Sequence, residues 1–222
     1  MKLIFDVPAN PVVEVKGIDM RYPIHRIFCV GRNYADHAKE MGMQVDREAP
    51  IYFTKSPSSF APSGGKQPYA QGTSDYHYEM ELVVALGEGG KIFGFACGLD
   101  MTRRDLQAKM RERGYPWDVA KNVEASAIIG TITPADGFGP VGSQAITLTQ
   151  NGAVKQSGRL DDMIWSIPEI ISDLSKLYHL RSGDVIFTGT PAGVGPVAIG
   201  DHLVGEVEGL EPVVVEFGPT EN

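Results

Sequence analysis

Short apolar runs bounded by glycine and proline recur along the chain and predict strands more often than helices. Several of these runs contain β-branched residues and are too short for helices, as is typical of buried strands. They fall at residues 27–30, 50–55, 82–86, 92–99, 145–149, 184–188 and 213–217. Because strands outnumber helices without a regular strand–helix alternation, we expect a β-rich α+β fold with a few short helices.

Helices are predicted in three segments, at residues 34–43, 102–114 and 167–178. Thr102 is the expected N-cap of the second helix, where Asp105 would complete a capping box. The sequence therefore places few helices among many strands.

The segments between these elements carry turn signals. Asn151 and Gly152 predict a hairpin turn after the strand at residues 145–149. Residues 56–65 are rich in proline, serine and glycine and predict a loop. Residues 1–23 are expected to form a short peripheral segment with one or two strands, followed by the main domain at residues 24–222.

Three acidic residues mark the ends of two neighbouring predicted strands. Glu79 and Glu81 precede the run at residues 82–86 and share one face of that strand, because side chains alternate along a strand. Asp100 ends the next apolar run. Like charges so close repel one another, and a hard divalent cation would remove the conflict. The alternative without a metal is a solvent-exposed strand edge, but unpaired carboxylates beside a hydrophobic core cost free energy.

A histidine and a glutamate share a face of the first predicted helix. His37 and Glu40 are three residues apart, so the carboxylate can orient the imidazole as a base for water. An exposed charged helix without a catalytic role gives the same pattern. Lys121 follows an apolar pair and could reach inward as a cation over an oxyanion, although most lysines lie on the surface.

A glycine-rich segment at residues 182–195 suggests a phosphate-binding loop at first sight. It lacks the Gly-Lys-Ser/Thr ending of a P-loop, and Pro196 and Val197 follow where a dinucleotide-binding helix should begin. A strand that ends in a tight turn, and brings Thr190 and backbone amides to a ligand, is the better interpretation.

Composition narrows the class of protein. The 222 residues fit one domain with at most a small extension, and the net charge of −8 argues against nucleic acid and anionic membranes as partners. No signal-peptide start or membrane-spanning run is recognisable. Cys29 and Cys97 lie in apolar runs and are expected to be buried free thiols of a cytoplasmic protein.

Several of these motifs, in this order, resemble the fumarylacetoacetate hydrolase family. The similarity extends from about residue 24 to residue 217. The matching strings are Val30-Gly31-Arg32-Asn33-Tyr34 with His37 and Glu40, Tyr78-Glu79-Met80-Glu81-Leu82, Gly98-Leu99-Asp100-Met101-Thr102 with Arg104 and Gln107, Lys121, and Gly189-Thr190-Pro191-Ala192-Gly193-Val194-Gly195. After Lys121 the chain departs from the family pattern at residues 122–130, which predicts a reshaped loop there.

The resemblance implies a fold, a site and an assembly. The expected fold is a mixed β-sandwich roll, in a homodimer. Glu79, Glu81 and Asp100 would bind Mg²⁺ or Mn²⁺, with Ca²⁺ as a further hard cation. His37 and Glu40 would activate water, and the remaining pocket residues would be Lys121, Arg32, Arg104, Gln107 and Thr190.

The implied reaction is hydrolysis of the carbon–carbon bond of an acylpyruvate. Residues 76–84 and 101–107 look most similar to family members that hydrolyse fumarylpyruvate to fumarate and pyruvate. The distal carboxylate of that substrate needs a cation, for which Arg32 and Arg104 are candidates. Two alternatives stay open: a metal-dependent decarboxylase or tautomerase of a 2-oxo acid such as oxaloacetate, and a non-enzymatic protein with a structural cation.

Overall fold

Strands account for most of the regular structure in a computed structural model that describes residues 3–6, 8–42 and 47–220. The strands are β1 Val12–Val15, β2 Ile18–Pro23, β3 Arg26–Gly31, β4 Ile51–Lys55, β5 Phe60–Pro62, β6 Gly65–Pro68, β7 Tyr76–Tyr78, β8 Met80–Leu86, β9 Ile92–Asp100, β10 Thr102–Arg103, β11 Ala127–Ile129, β12 Thr133–Pro134, β13 Ala145–Gln150, β14 Ala153–Arg159, β15 Asp184–Phe187, β16 Gly195–Pro196, β17 His202–Val207 and β18 Val213–Gly218. The helices are α1 Ala35–Glu40, α2 Arg104–Arg113, α3 Asp118–Lys121, α4 Ala135–Phe138 and α5 Ile167–Leu177. The fold is therefore a β-rich α+β fold, as the sequence predicts.

The largest sheet has the strand order β4-β3-β15-β8-β9-β11-β5, with β12 paired to β9. Strands β8 and β9 are antiparallel neighbours at its centre, and Glu81 lies opposite Gly98 in their register. The predicted adjacency of the strands that carry the acidic residues is confirmed.

Strand β8 is buried on both faces, which explains its continuous apolar sequence. Leu82, Val84 and Leu86 pack into one apolar cluster with residues of a second sheet, ordered β14-β13-β17-β18-β6. Val83 and Ala85 pack into another cluster on the opposite face, which includes residues of the β1–β2 hairpin. The two sheets and the hairpin thereby fix β8 in place.

A third, small sheet orders β10-β7-β16 and brings the chain before Glu79 close to the chain after Asp100. Thr102 pairs with His77 across it, and Gly195 pairs with Tyr78. The glycine-rich segment is thereby brought beside the acidic residues.

Several predicted elements are confirmed with small shifts of their ends. The hairpin turn has positive φ at Asn151 (53°) and Gly152 (80°), and α5 begins with a capping box between Ser166 and Glu169. Cys29 and Cys97 are buried free thiols, as expected. The first helix ends within the predicted segment at residues 34–43. The last residue of that segment, Met43, lies outside the described residues. The same holds for residues 1, 2, 7, 221 and 222 of the two predicted domain segments.

Two local predictions are wrong. Thr102 does not cap α2; it belongs to β10, and Arg103 occupies the N-cap position without a side-chain hydrogen bond. The predicted loop at residues 56–65 contains β5, because Phe60–Pro62 pairs in parallel with Ala127–Ile129 far along the chain. Such long-range pairing leaves no local pattern in the sequence.

No helix among the described residues is long and apolar enough to cross a bilayer.

Candidate active site and metal centre

Three carboxylates converge on one face of the large sheet. Glu79, Glu81 and Asp100 are all buried, and each contributes an oxygen to a group of atoms that lie within 4.8 Å of one another. Alternation along β8 puts Glu81 on the same face as Val83, and Asp100 emerges from the adjacent end of β9. The sequence prediction that these side chains lie together is therefore confirmed.

Three cationic side chains surround this acidic cluster. Lys121 Nζ donates to Glu79 Oε2 at 2.7 Å and to Asp100 Oδ2 at 2.8 Å. Arg104 donates to the other oxygen of Glu79, and Lys55 Nζ lies 2.8 Å from Asp100 Oδ1. Each buried negative charge of Glu79 and Asp100 is thus compensated at short range.

Glu81 is the least compensated of the three carboxylates. Its Oε2 accepts a backbone hydrogen bond from Gly189 at 2.6 Å, and no salt bridge to it is present among the described residues. Burial, with the neighbouring charges of Asp100 and Glu79, raises the pKa of the Glu81 carboxyl well above its usual range. For Glu79, burial is outweighed by the charges of Lys121 and Arg104, which hold its pKa well below the usual range.

The donor set fits a hard divalent cation. All three side chains offer oxygen, which Mg²⁺ and Mn²⁺ prefer, and three protein ligands leave further coordination positions for water or substrate. Asp100 Oδ1 is buried and accepts no hydrogen bond. The nearby ammonium of Lys55 instead donates to Met101 O, Lys121 O and Ser126 Oγ. Asp100 Oδ1 is therefore held by its ion pair with Lys55, and Glu81, which has no salt bridge among the described residues, is the carboxylate whose buried charge a cation would compensate.

His37 and Glu40 form the predicted pair on α1. His37 Nδ1 lies 3.1 Å from Glu40 Oε2, and a carboxylate only accepts, so Nδ1 carries the hydrogen and Nε2 is the basic nitrogen. Glu40 is itself held by the backbone N–H of Gly193, at 3.1 and 3.2 Å from its two oxygens. His37 is buried and lines the same cleft as Glu79 and Glu81.

Lys121 reaches inward, as the sequence analysis anticipated, and its side chain is buried. Its three N–H groups go to Glu79, Asp100 and Thr102 Oγ1, the last at 2.7 Å. Burial lowers the pKa of Lys121, but the two carboxylates outweigh that effect and raise it. The ammonium therefore stays charged, and it meets a substrate oxygen only by exchanging one of these partners.

Arg104 and Gln107 occupy the buried side of α2 and line the cleft. Arg104 donates to Glu79 through Nη2 and to Gln107 Oε1 through Nη1. Its Nε donates to His77 Nδ1 at 3.4 Å, and His77 Nε2 lies 2.8 Å from Asp75 Oδ1. Arg104 is thereby fixed from both sides.

Thr190 and Arg32 complete the predicted set. Thr190 Oγ1 accepts a hydrogen bond from the buried Gln156 Nε2 at 2.8 Å, which leaves its own O–H to donate into the cleft. Arg32 has a φ of 61°, and its guanidinium lies 5.9 Å from the ring of Trp117. Both residues line the cleft together with His37 and Lys121.

Sequence reasoning missed several residues of this site. The residues that the sequence analysis does not identify are Lys55, His77, Arg111, Trp117 and Gln156. Arg111 had a usable signal, because Arg104, Gln107 and Arg111 share one helical face by their spacing. Lys55 and Gln156 had none, since their partners come from distant strands.

Comparison with known proteins places this geometry in a family. The model for the fumarylacetoacetate (FAA) hydrolase C-terminal domain matches residues 26–217. A fumarylpyruvate hydrolase of Ralstonia sp. is 47% identical over 193 residues, which cover 82% of this chain and 100% of that protein. The mitochondrial oxaloacetate tautomerase FAHD1 of Mus musculus is 38% identical over 194 residues, covering 83% of this chain and 87% of the relative.

A solved structure supports the same relationship. The crystal structure of fumarylpyruvate hydrolase from Pseudomonas aeruginosa, in complex with Mn²⁺ and pyruvate, superposes with a TM-score of 0.95 at 41% sequence identity. The match covers 98% of this chain and 100% of that one. The family match at residues 26–217 agrees with the mixed β-sheet fold and with the buried Glu-Glu-Asp cluster. The chain belongs to the fumarylacetoacetate hydrolase family.

Proposed function

We propose that this protein is a metal-dependent hydrolase that cleaves the carbon–carbon bond of an acylpyruvate, with fumarylpyruvate as substrate and fumarate and pyruvate as products. The observation that carries the proposal is the arrangement of the cleft. A three-carboxylate cluster, a His–Glu pair and a buried lysine face one space. The similarity to fumarylpyruvate hydrolases of Ralstonia sp. and Pseudomonas aeruginosa supports the choice of substrate.

In this proposal each polar group of the cleft has one task. Glu79, Glu81 and Asp100 would hold Mg²⁺ or Mn²⁺, which supplies Lewis acidity toward the carboxylate and keto oxygens of the substrate. His37 Nε2, oriented by Glu40, takes a proton from the water that attacks the distal carbonyl carbon.

The later steps use the cationic side of the cleft. Lys121 donates to the oxyanion that forms at the attacked carbonyl. Collapse of that oxyanion breaks the bond to the adjacent methylene carbon, which takes up a proton to complete pyruvate. Arg104, Gln107 and Thr190 hold the pyruvoyl end of the substrate in place through hydrogen bonds.

Tautomerisation of oxaloacetate is the second candidate, favoured by the 38% identity to the oxaloacetate tautomerase of Mus musculus. That reaction moves a proton between carbon and oxygen and needs no attacking water. The two functions therefore differ in their dependence on His37 as the base for water.

A substrate panel with a His37→Ala variant tests the proposal. Purified protein with Mg²⁺ or Mn²⁺ is assayed on fumarylpyruvate, other acylpyruvates and oxaloacetate. We expect the wild type to hydrolyse fumarylpyruvate and the variant to lose about 10²- to 10⁴-fold in kcat, because general base catalysis is removed. Calorimetric titration with Mn²⁺ should show that the variant still binds metal.

His202→Ala is the matched control, because His202 is exposed on β17 outside the cleft and should keep full activity. Near-normal hydrolysis by His37→Ala would show that the water-activation assignment is wrong. Turnover of oxaloacetate alone would favour the tautomerase. Failure to bind oxalate, a mimic of the pyruvate enolate, in the presence of Mg²⁺ would favour a purely structural cation.

We also propose that the chain works as a homodimer in the cytoplasm and serves the breakdown of aromatic compounds. These proposals rest on the family resemblance. The proposed catalytic domain is residues 24–222, which contain every candidate site residue, and residues 1–23 are proposed as a short N-terminal segment outside it. Light scattering on the purified protein should give twice the chain mass of 24.0 kDa.

A further inference from the structure

One face of α2 runs along the cleft from its buried end to its exposed end. Arg104, Gln107 and Arg111 are spaced three and four residues apart and therefore stack on the same side of the helix. All three line the cleft. Arg104 and Gln107 are buried, whereas Arg111 is exposed. This face of α2 therefore leads from the carboxylate cluster to solvent.

The cations at the buried end are already engaged by protein groups. Arg104 is bound to Glu79, Gln107 and His77, and Lys121 donates to Glu79, Asp100 and Thr102. The sequence analysis names Arg104 as a candidate to bind the distal carboxylate of the substrate. Its hydrogen bonds instead hold it beside the carboxylate cluster. A distal carboxylate needs a cation farther out.

Arg111 meets that requirement. Among the described residues its one hydrogen bond goes from Nη1 to the backbone carbonyl of Met41, at 3.1 Å, and no carboxylate of those residues pairs with it. A guanidinium presents five N–H donors in a planar fork, so donors remain that no described residue is seen to use.

The walls of the outer cleft suit a flat, unsaturated acyl chain that ends in an anion. Phe53 and Trp117 both line the cleft. The Phe53 ring lies 5.0 Å from the buried Lys121 Nζ, whereas the half-buried Trp117 ring lies under the guanidinium of Arg32. The acidic side chains that line the cleft, Glu79 and Glu81, are both buried. Its outer part is therefore aromatic and positively charged.

We propose that Arg111 determines substrate specificity by binding the terminal carboxylate of the acyl chain, with Arg32 as the second cation of this outer subsite. The proposal rests on the acylpyruvate hydrolase function given above. It predicts a preference for acylpyruvates with an anionic end over those that end in a methyl group.

An Arg111→Gln variant tests the role of Arg111. Glutamine has a helix propensity close to that of arginine and keeps a polar end, so the variant removes the charge with little change to the exposed end of the helix. We expect kcat/KM for fumarylpyruvate to fall about tenfold, mainly through KM, as for one charge-assisted hydrogen bond at an exposed site. The kcat/KM for acetylpyruvate, which has no terminal carboxylate, should stay unchanged and shows that the variant is folded.

Two further variants complete the experiment. Arg113→Gln changes an exposed arginine of the same helix that does not line the cleft, and it should keep both activities. Arg111→Lys should recover part of the lost preference, because it restores the charge.

Equal losses on both substrates, or no loss on either, would overturn the role of Arg111. A wild-type enzyme that hydrolyses neither substrate would instead overturn the proposed function, and with it this subsite.

Discussion

Lys55 shows how much of the site depends on a residue that does not line the cleft. Its ammonium is fully buried beside Asp100 and donates to the carbonyls of Met101 and Lys121 and to Ser126 Oγ. It thereby joins β4 to the ends of β9 and α3, where Asp100 and Lys121 are located. A buried cation with this many acceptors is costly to remove, because each acceptor is left without a donor.

We expect Lys55→Met to lower the free energy of unfolding by about 3 kcal/mol, as for loss of one partner of a buried ion pair. Urea unfolding of the metal-free protein measures it. Lys66→Met is the control, because the Lys66–Glu216 pair is exposed and should contribute about 0–1 kcal/mol. A loss below about 1 kcal/mol for Lys55→Met would contradict the assigned structural role.

Residues with a local spacing signal could be predicted from the sequence, and residues placed by distant strands could not. Glu79, Glu81 and Asp100 follow from alternation on adjacent strands, and His37 with Glu40 from helical spacing. The carboxylate that pairs with Lys55 belongs to Asp100, on another strand. A lone lysine at the end of an apolar run does not reveal that partner. The register of non-neighbouring strands carries that information.

At the scale of elements, the turn after β15 connects the fold to the metal site. Gly189 has a φ of 98°, and its N–H donates to Glu81 Oε2. A Cβ there would lie 2.6 Å from Asn33 Cβ and 3.3 Å from Val30 O. The turn therefore requires glycine both for its backbone conformation and for the close approach of the chain before α1.

Gly189→Ala and Gly152→Ala separate these two requirements. Both positions have positive φ, but a Cβ at Gly152 would meet nothing within 4 Å. Gly152→Ala should cost about 1–2 kcal/mol of stability without loss of activity. Gly189→Ala should cost a further 1–3 kcal/mol or so from overpacking, and it should weaken Mn²⁺ binding by displacing Glu81.

Thermal unfolding and Mn²⁺ titration of both variants measure the difference. Equal stability and equal Mn²⁺ affinity of the two variants would show that the turn does not support the site.

Element prediction succeeded where local signals are strong and failed where pairing is remote. The Asn151-Gly152 hairpin and the helix predicted at residues 167–178 depend on interactions between neighbouring residues. The strand at Phe60–Pro62 forms only because Ala127–Ile129 lies beside it. Threonine is a common N-cap residue, yet Thr102 pairs with His77 and belongs to a strand.

For the whole molecule, the fold places an acidic cluster where a doubly buried strand meets a small sheet. Burial of β8 on both faces fixes Glu81, and the small sheet brings the glycine-rich turn and α2 to the same cleft. The cations around Glu79 and Asp100 offset the cost of burying these two charges. The fold therefore holds the three carboxylates together in the cleft.

The central claim, metal-dependent cleavage of an acylpyruvate, is tested most directly by fumarate release before and after chelation. The wild-type protein is assayed on fumarylpyruvate with Mn²⁺, after removal of the metal by a chelator, and after Mn²⁺ is restored. We predict stoichiometric fumarate and pyruvate with Mn²⁺, loss of nearly all turnover on chelation, and recovery when Mn²⁺ returns. Fumarate release that is unaffected by chelation, or no fumarate under any of these conditions, would contradict it.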